Sequence, residues 1–383
     1  MNFELTEDQR MMVQGVRDFA QGEIAPRAQE MDESASIPPD IIEQMRELGL
    51  FGAAIPEAYG GIELDAITYV GIIEELAQAS AGVSIVLSVH SGVAAYPLLL
   101  FGNEEQRRRF LPQMASGGIG AFCLSEPGAG SDAGSLKTSA VRDGASYVLN
   151  GQKVFVTNGS IAQYYLVMAR TDLDAEPKTR GISAFLVERD TPGLSLGRKE
   201  EKMGLRASDT MEIFFEDCRV PADNRLGDEG AGFKIAMMSL DNGRIGVGAQ
   251  ALGISQAALT EAIHYAKERQ QFGYPLVHFQ AIQTKLAEMS TRVKAARLLV
   301  WRAAWLKDQK EKFSRQAAQA KVFASEAATW VTHQAVQIHG GYGYMKEYPV
   351  ERYYRDARVT EIYEGTSEMQ RIVIARSLIK GNR

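Results

Sequence analysis

The spacing of apolar residues changes twice along this 383-residue chain, and that double change is the strongest constraint on its fold. Up to about residue 120 the spacing is helical: Ile41, Ile42, Met45 and Leu48 form one run, and Ile72, Ile73, Leu76 and Ala77 form another. Pro38-Pro39, Pro56 and Gly60-Gly61 punctuate these helices. From about 121 to 235 the pattern becomes short alternating runs rich in β-branched and aromatic residues, at 146–150, 153–157, 164–169, 182–187 and 211–215. Asp143-Gly144 and Asn150-Gly151 read as the turns between them. After Gly232 helical spacing returns. Apolar residues at 282, 286, 289, 293, 296 and 300 step by four and three, which is the stripe of a bundle helix, and further helices are predicted from about Ser314 to Ile338 and from Ser367 to Ile379. The order α, β, α, with no internal repeat and no low-complexity linker, predicts an α+β multidomain chain divided as 1–120, 121–235 and 236–383.

Composition narrows the function classes. A net charge of −6, with 45% hydrophobic and 23% charged residues, is that of an ordinary soluble globular protein, so neither nucleic acid nor an anionic membrane is an expected partner. Cys123 and Cys218 lie far apart and outside any CxxC or CxxH spacing, which removes disulfide-framework and structural-zinc readings. The stretch from Ala81 to Phe101 carries no charge, yet Ser84, Ser88, His90, Ser91, Gly92 and Pro97 interrupt it; a buried helix or helix pair is expected rather than a membrane span. The N-terminus is acidic where a leader would be basic, so no targeting segment is visible and a cytoplasmic location is expected.

Three familiar patterns fail on context. Gly193-Leu-Ser195-Leu-Gly197 matches a nucleophile elbow but runs into charged 198–202 instead of a helix, and reads as a turn. Gly246-x-Gly248-x-x-Ala251 follows a helical segment and not a strand, so its small residues serve close helix packing rather than a dinucleotide. The five histidines (90, 264, 278, 333 and 339) show no metal-ligand spacing, and no metal is expected. Two segments carry more. The glycines and hydroxyls of 125–132, after a short strand, let backbone N–H groups approach an anion or heterocycle. The 363–368 segment sets Glu364 beside a glycine in a turn that opens a helix, with Thr366 or Ser367 as N-cap.

Taken with Leu124-Ser-Glu-Pro-Gly-Ala-Gly-Ser-Asp132, Val156-Thr-Asn-Gly159, Glu268-Arg-Gln-Gln-Phe-Gly273, Gln337-Ile-His-Gly-Gly341, Tyr353-Tyr-Arg-Asp356 and Ile362-Tyr-Glu-Gly-Thr-Ser-Glu368, the chain resembles the acyl-CoA dehydrogenase family over almost its whole length. The resemblance implies an N-terminal helical domain, a central β-domain and a C-terminal four-helix bundle. It implies FAD as hydride acceptor, because no side chain accepts a hydride. Glu364 is assigned as the catalytic base for the α-proton of an acyl thioester, whose oxygen is stabilised by the base's backbone N–H and a ribityl hydroxyl. Some family members carry the base on the helix holding Asp241 to Arg244, where this chain has Gly243.

By the same resemblance, Phe122, Leu124, Ser125, Ser131, Phe155, Val156 and Thr157 line the flavin, and Ser131, Asp241, Arg244 and Gly365 contact the acyl-CoA. Arg269, Gln280, Gln337, Gly340 and Gly341 bind the pyrophosphate and adenosine of an FAD held mainly by a neighbouring subunit of a homotetramer (a dimer of dimers), while Thr366 and Glu368 complete the site. His339 falls where some members are apolar. Electrons are expected to pass to an electron transfer flavoprotein in fatty-acid or branched-chain amino-acid degradation. The closest resemblance is to the short-chain, butyryl-CoA type; glutaryl-type relatives carry a substrate-binding arginine within 81–101, where this chain has none. An acyl-CoA oxidase on the same fold and a non-catalytic flavin-binding protein are the alternatives.

Overall fold

The computed structural model describes residues 4–381. Seven helices come first: α1 (Glu7–Phe19), α2 (Ala28–Ser34), α3 (Pro39–Glu47), α4 (Ala66–Ala79), α5 (Ala81–Val89), α6 (Tyr96–Phe101) and α7 (Glu104–Ala115). Their starts are capped by the sequence itself: Thr6 and Gln9 form a reciprocal capping box on α1, and Asn103 and Gln106 do so on α7. At α4 the cap is shared with distant chain. Asp65 accepts from Thr68 N at 2.8 Å, and Asp308 accepts the Ala66 N–H at 2.7 Å, so two carboxylates meet the positive end of the helix.

A π-helical segment, His90–Ala95, joins α5 to α6, making Ala81–Phe101 one helical stretch long and apolar enough to cross a membrane; 83% of its apolar 18-residue window is buried inside the fold. The polar interruptions have internal partners. His90 Nε2 lies 3.0 Å from the Phe51 carbonyl and Nδ1 accepts the Gly120 N–H at 3.0 Å, so the ring is neutral, and burial pushes its pKa down to about 4.

The central sheet has eight strands: β1 (Gly120–Cys123), β2 (Ser139–Asp143), β3 (Ser146–Thr157), β4 (Tyr164–Arg170), β5 (Ile182–Glu188), β6 (Leu194–Lys199), β7 (Thr210–Pro221) and β8 (Arg225–Leu226). They run in the order β6-β7-β3-β2-β4-β5-β8, and β1 pairs parallel with β4. Both faces of β4 are covered: Tyr165, Val167 and Ala169 enter one apolar core, while Tyr164, Leu166 and Met168 pack in a second with Phe110, Leu111 and Met114 of α7. That double burial explains a continuous apolar run in place of strict alternation.

Two local expectations are corrected here. Asn150-Gly151 is no turn: 146–157 is one strand, and Gly151 (φ 150°) sits in a register shift against β7, where a Cβ would lie 2.6 Å from Thr138 Oγ1. Gly193–Gly197 is no turn either, since Ser195 lies in β6 opposite Phe214. The rejection of a nucleophile elbow stands on that same ground, because no helix follows Ser195.

The last third holds α8 (Gly232–Glu268), α9 (Gln280–Asp308), α10 (Ser314–His339), α11 (Val350–Val359) and α12 (Ser367–Lys380). Met289, Val293, Ala296 and Val300 of α9 are buried, as their spacing requires, each large side chain contributing roughly 1.5–3 kcal/mol. On α8 a Cβ at Gly246 would overlap Ser88 Oγ, one at Gly248 would stand 3.0 Å from Val300, and one at Gly253 would stand 2.5 Å from the Glu74 carbonyl. Its glycines are close-packing positions.

Candidate active site

Between α11 and α12 the chain makes a tight turn that sets Glu364 at φ 51° and Gly365 at φ 94°. A left-handed non-glycine residue is costly unless its surroundings hold it. Here they do. Thr366 is the N-cap of α12, accepting from Met369 N; Gln370 Nε2 donates to the carbonyls of Glu364 (3.3 Å) and Gly365 (2.8 Å), and Lys321 Nζ donates to the Gly365 carbonyl at 2.8 Å. Preceding the base, Tyr363 donates its hydroxyl to Gln250 Oε1, while Gln250 Nε2 donates to the Ala81 carbonyl (2.8 Å) and to Ser84 Oγ (3.1 Å).

The carboxylate of Glu364 lies over Gly243 of α8, where a Cβ would overlap Oε2 and stand 2.8 Å from Val93 Cγ1. Oε2 is covered and has no hydrogen-bond partner. Burial pushes the Glu364 pKa up to about 7, against the opposing charges of Lys321 and Arg244. Arg244, the residue after Gly243, is itself buried and paired with Asp241. A carboxylate that ionises near neutrality, with an unengaged oxygen, is equipped to take a proton from a weak carbon acid.

The 124–132 loop is fixed from beneath by charge. Lys153 Nζ, fully buried, lies 2.7 Å from Glu126 Oε1 and donates to the Leu124 carbonyl at 3.2 Å. The Glu126 carboxylate also accepts the backbone N–H groups of Lys137 (2.6 Å) and Thr138 (2.9 Å). Neither Glu126 nor Lys153 was distinguished by sequence as the fastening of this loop. Asn158, fully buried, donates to the carbonyls of Val86 (3.1 Å) and Gly120 (3.2 Å), tying the end of β3 to α5 and β1. The π segment bridges this region to the base: His90 holds Gly120, and the Gly92 carbonyl accepts Asn242 Nδ2 at 2.9 Å beside Gly243.

The expected flavin-lining residues divide by exposure. Phe155 is 67% exposed at φ 58°, Ser131 is exposed, and Phe122, Ser125 and Thr157 are half-buried. The side chains of Val156 and Leu124 turn into the cores of the sheet, so these two residues have mainly backbone to offer a ligand. A Cβ at Gly128 or Gly130 would meet nothing within 4 Å, which leaves the loop surface open to a planar ring. Elsewhere, Arg269, His339, Gly340 and Gly341 border an open depression of about 500 Å³, with Arg269 over the Tyr342 ring at 5.3 Å. Gln280 and Gln337 are exposed and do not line it. Glu368 is exposed in the first turn of α12. His339 is stacked on Tyr265 at 4.1 Å with Nδ1 at 2.8 Å from the Ala335 carbonyl; its buried Nε2 makes no hydrogen bond among the described residues and lies 4.0 Å from Glu261 Oε1. Open glycines, hydroxyls and a guanidinium are the donor set that an isoalloxazine ring and a pyrophosphate require, so the residues fit FAD.

Gln250, Gln370 and Lys321 were missed by sequence reasoning. Lys321 left a signal. It falls on the buried stripe 317, 320, 324, 328 and 331 of α10, where a lysine is out of place.

Family models cover the chain in three pieces: the acyl-CoA dehydrogenase N-terminal domain over 6–118, the middle domain over 121–218 and the C-terminal domain over 230–379. The chain belongs to the acyl-CoA dehydrogenase family, FAD-dependent oxidoreductases acting on CH–CH groups. It is 51% identical over 381 residues to the mitochondrial short-chain specific acyl-CoA dehydrogenase of Bos taurus, covering 99% of this chain and 92% of that one. Among solved structures, butyryl-CoA dehydrogenase from Megasphaera elsdenii superposes with a TM-score of 0.97 at 47% identity, over 99% of this chain and 100% of that one. A chain in a structure of the electron transferring flavoprotein of Acidaminococcus fermentans matches with a TM-score of 0.97 at 48% identity over the full length of both.

Proposed function

We propose that the protein removes hydrogens from Cα and Cβ of a short-chain acyl-CoA, giving the trans-2-enoyl-CoA, with Glu364 as the base. The observation that carries this reading is the covered, unpartnered Oε2 of Glu364 above Gly243, between the cations Lys321 and Arg244. Glu364 takes the α-proton. Bound FAD supplies the acceptor for the β-hydride. Among the described residues the Glu364 N–H donates to no carbonyl, which leaves it available to the thioester oxygen as that oxygen gains charge. Ser131, Asp241, Arg244 and Gly365 are the residues that would orient the acyl-CoA. Ser125, Ser131, Thr157 and the backbone of 122–130 would hold the flavin.

A short acyl chain is supported by the likeness to short-chain specific acyl-CoA dehydrogenase and to butyryl-CoA dehydrogenase. Arg269, Gln280, Gln337, Gly340 and Gly341 would hold the pyrophosphate and adenosine of a neighbouring subunit's FAD in a homotetramer, with Thr366 and Glu368 at its edge. Domain limits at 120 and 235, a cytoplasmic location, an electron transfer flavoprotein as acceptor, and a place in fatty-acid or branched-chain amino-acid degradation belong to the same reading.

The test is a panel of acyl-CoA chain lengths assayed with an artificial electron acceptor and, separately, with oxygen alone. Butyryl-CoA is expected to turn over fastest with the acceptor and negligibly with oxygen; brisk turnover with oxygen alone would make the protein an oxidase. Glu364→Gln is expected to lose roughly 100-fold to 10,000-fold of turnover while keeping FAD and acyl-CoA binding. Near-wild-type turnover in that variant would remove Glu364 as the base.

A further inference from the structure

Lys321 is fully buried on α10, at the level where α10 passes α8 so closely that a Cβ on Gly248 would stand 3.8 Å from the Lys321 backbone nitrogen. A lysine there sacrifices its hydration, and burial lowers its pKa to about 8, leaving it mostly charged at neutral pH. Its one hydrogen bond does not explain it. The Gly365 carbonyl that accepts from Lys321 at 2.8 Å also accepts from Gln370 Nε2 at 2.8 Å, so the turn would keep a donor without the lysine.

Among the described residues no carboxylate is within hydrogen-bond reach of Nζ, in contrast to Lys153 and Glu126. The acidic groups that Lys321 faces are Glu364, Glu361 and Glu368, with Arg244 of α8 as a like charge. Glu361 already accepts from Thr329 and pairs with Arg358 at 2.7 Å, and Glu368 is exposed to solvent. Arg244, the other cation near Glu364, is engaged with Asp241, and the neighbouring Tyr363 hydroxyl is engaged with Gln250. From α4, Tyr69 donates to the Leu87 carbonyl at 3.3 Å and brings no compensating charge. Glu364 is thus the buried anion that depends on Lys321.

We propose that Lys321 is a positioning residue for the reaction, whose buried positive charge, rather than its hydrogen bond, keeps Glu364 ionised and able to take the α-proton. This rests on the reading of Glu364 as base. Failure of the one can be told from failure of the other, because the protonation of Glu364 can be observed without turnover.

The experiment compares Lys321→Met, which removes charge and donor, with Lys321→Gln, which keeps a donor and removes the charge, in the FAD-loaded enzyme. Two readouts are followed against pH: the acidic limb of kcat/KM for butyryl-CoA, and the infrared C=O stretch of protonated Glu364, identified by its loss in Glu364→Gln. Both variants should move both readouts to higher pH by about one unit or more, which is about a tenfold loss of kcat/KM on the acidic side. A wild-type infrared titration in Lys321→Gln would overturn the proposal, as would failure of both variants to fold, since either result assigns the lysine to the architecture of the turn. If Glu364→Gln stays active while the infrared titration shifts, Lys321 does hold Glu364 ionised, but the base assignment fails and with it the part of Lys321 in the reaction.

Discussion

Lys153 and Lys321 are both fully buried, and each sits behind a loop of the active site, yet they are provided for in opposite ways. Lys153 has a carboxylate at 2.7 Å, and that carboxylate also fastens two backbone N–H groups, so charge and hydrogen bonds close within the sheet domain. Lys321 has only a carbonyl at 2.8 Å, and the anion it balances is the oxygen that chemistry requires to be left unengaged. A buried ion pair that closes locally builds a rigid loop. One left open stores its charge for a group that must gain and lose a proton.

The comparison breaks most visibly at Lys153. Lys153→Met leaves Glu126 buried without its counter-ion and should weaken the fold by about 3–5 kcal/mol, seen as a lower apparent melting temperature together with loss of FAD. An unchanged melting temperature would show that the two lysines are not different in kind.

A smaller effect of opposite sign is expected at Glu364. Its folded pKa of about 7 lies above the ordinary 4.5, so its contribution to stability is fully present below about 4.5 and is lost as pH rises through 7. Glu364→Gln should therefore be more stable than wild type at pH 8, by on the order of 1–3 kcal/mol, with the difference vanishing at pH 4. Thermal denaturation of the two proteins across that range checks it, and equal stability at pH 8 would contradict it.

The smallest effect sharpens the role of the turn's second donor. Gln370→Met removes the hydrogen bonds to the Glu364 and Gly365 carbonyls and should cost about 0.5–1.5 kcal/mol without moving the acidic limb of kcat/KM. A shifted limb would mean that hydrogen bonding and not charge tunes the base.

Much of the fold was legible because burial imposes a period. The stripe at 289, 293, 296 and 300 and the helix starts at Ser314 and Ser367 follow directly from apolar spacing and caps. Strand β6 and the bulge at Gly151 were not legible, since in 194–199 the apolar alternation ends after Leu194 and Leu196, and a glycine that admits Thr138 looks like one that turns the chain. Helix α11 was also missed; Glu351, Arg352 and Arg355 make it strongly charged, and of the three residues it buries, Val350, Asp356 and Ala357, one is itself an acid. In the site, Glu364 was visible because its motif is local. Gln250, Lys321 and Gln370 meet its turn, at Tyr363, Gly365 and Glu364, from three different helices, and no local pattern records such a meeting.

The space between α8 and the base turn has room for one occupant. A side chain at 243 and the carboxylate at 364 would claim the same volume, with Val93 closing the remaining side. The two positions are therefore alternatives, never partners. A lineage that transferred its base from 364 to 243 would have to cross a valley: adding a residue at 243 first evicts the working carboxylate, and clearing 364 first leaves no base at all. Gly243 is, in this sense, an absent side chain that reserves a place for the base, and moving the base to 243 takes at least two changes at once.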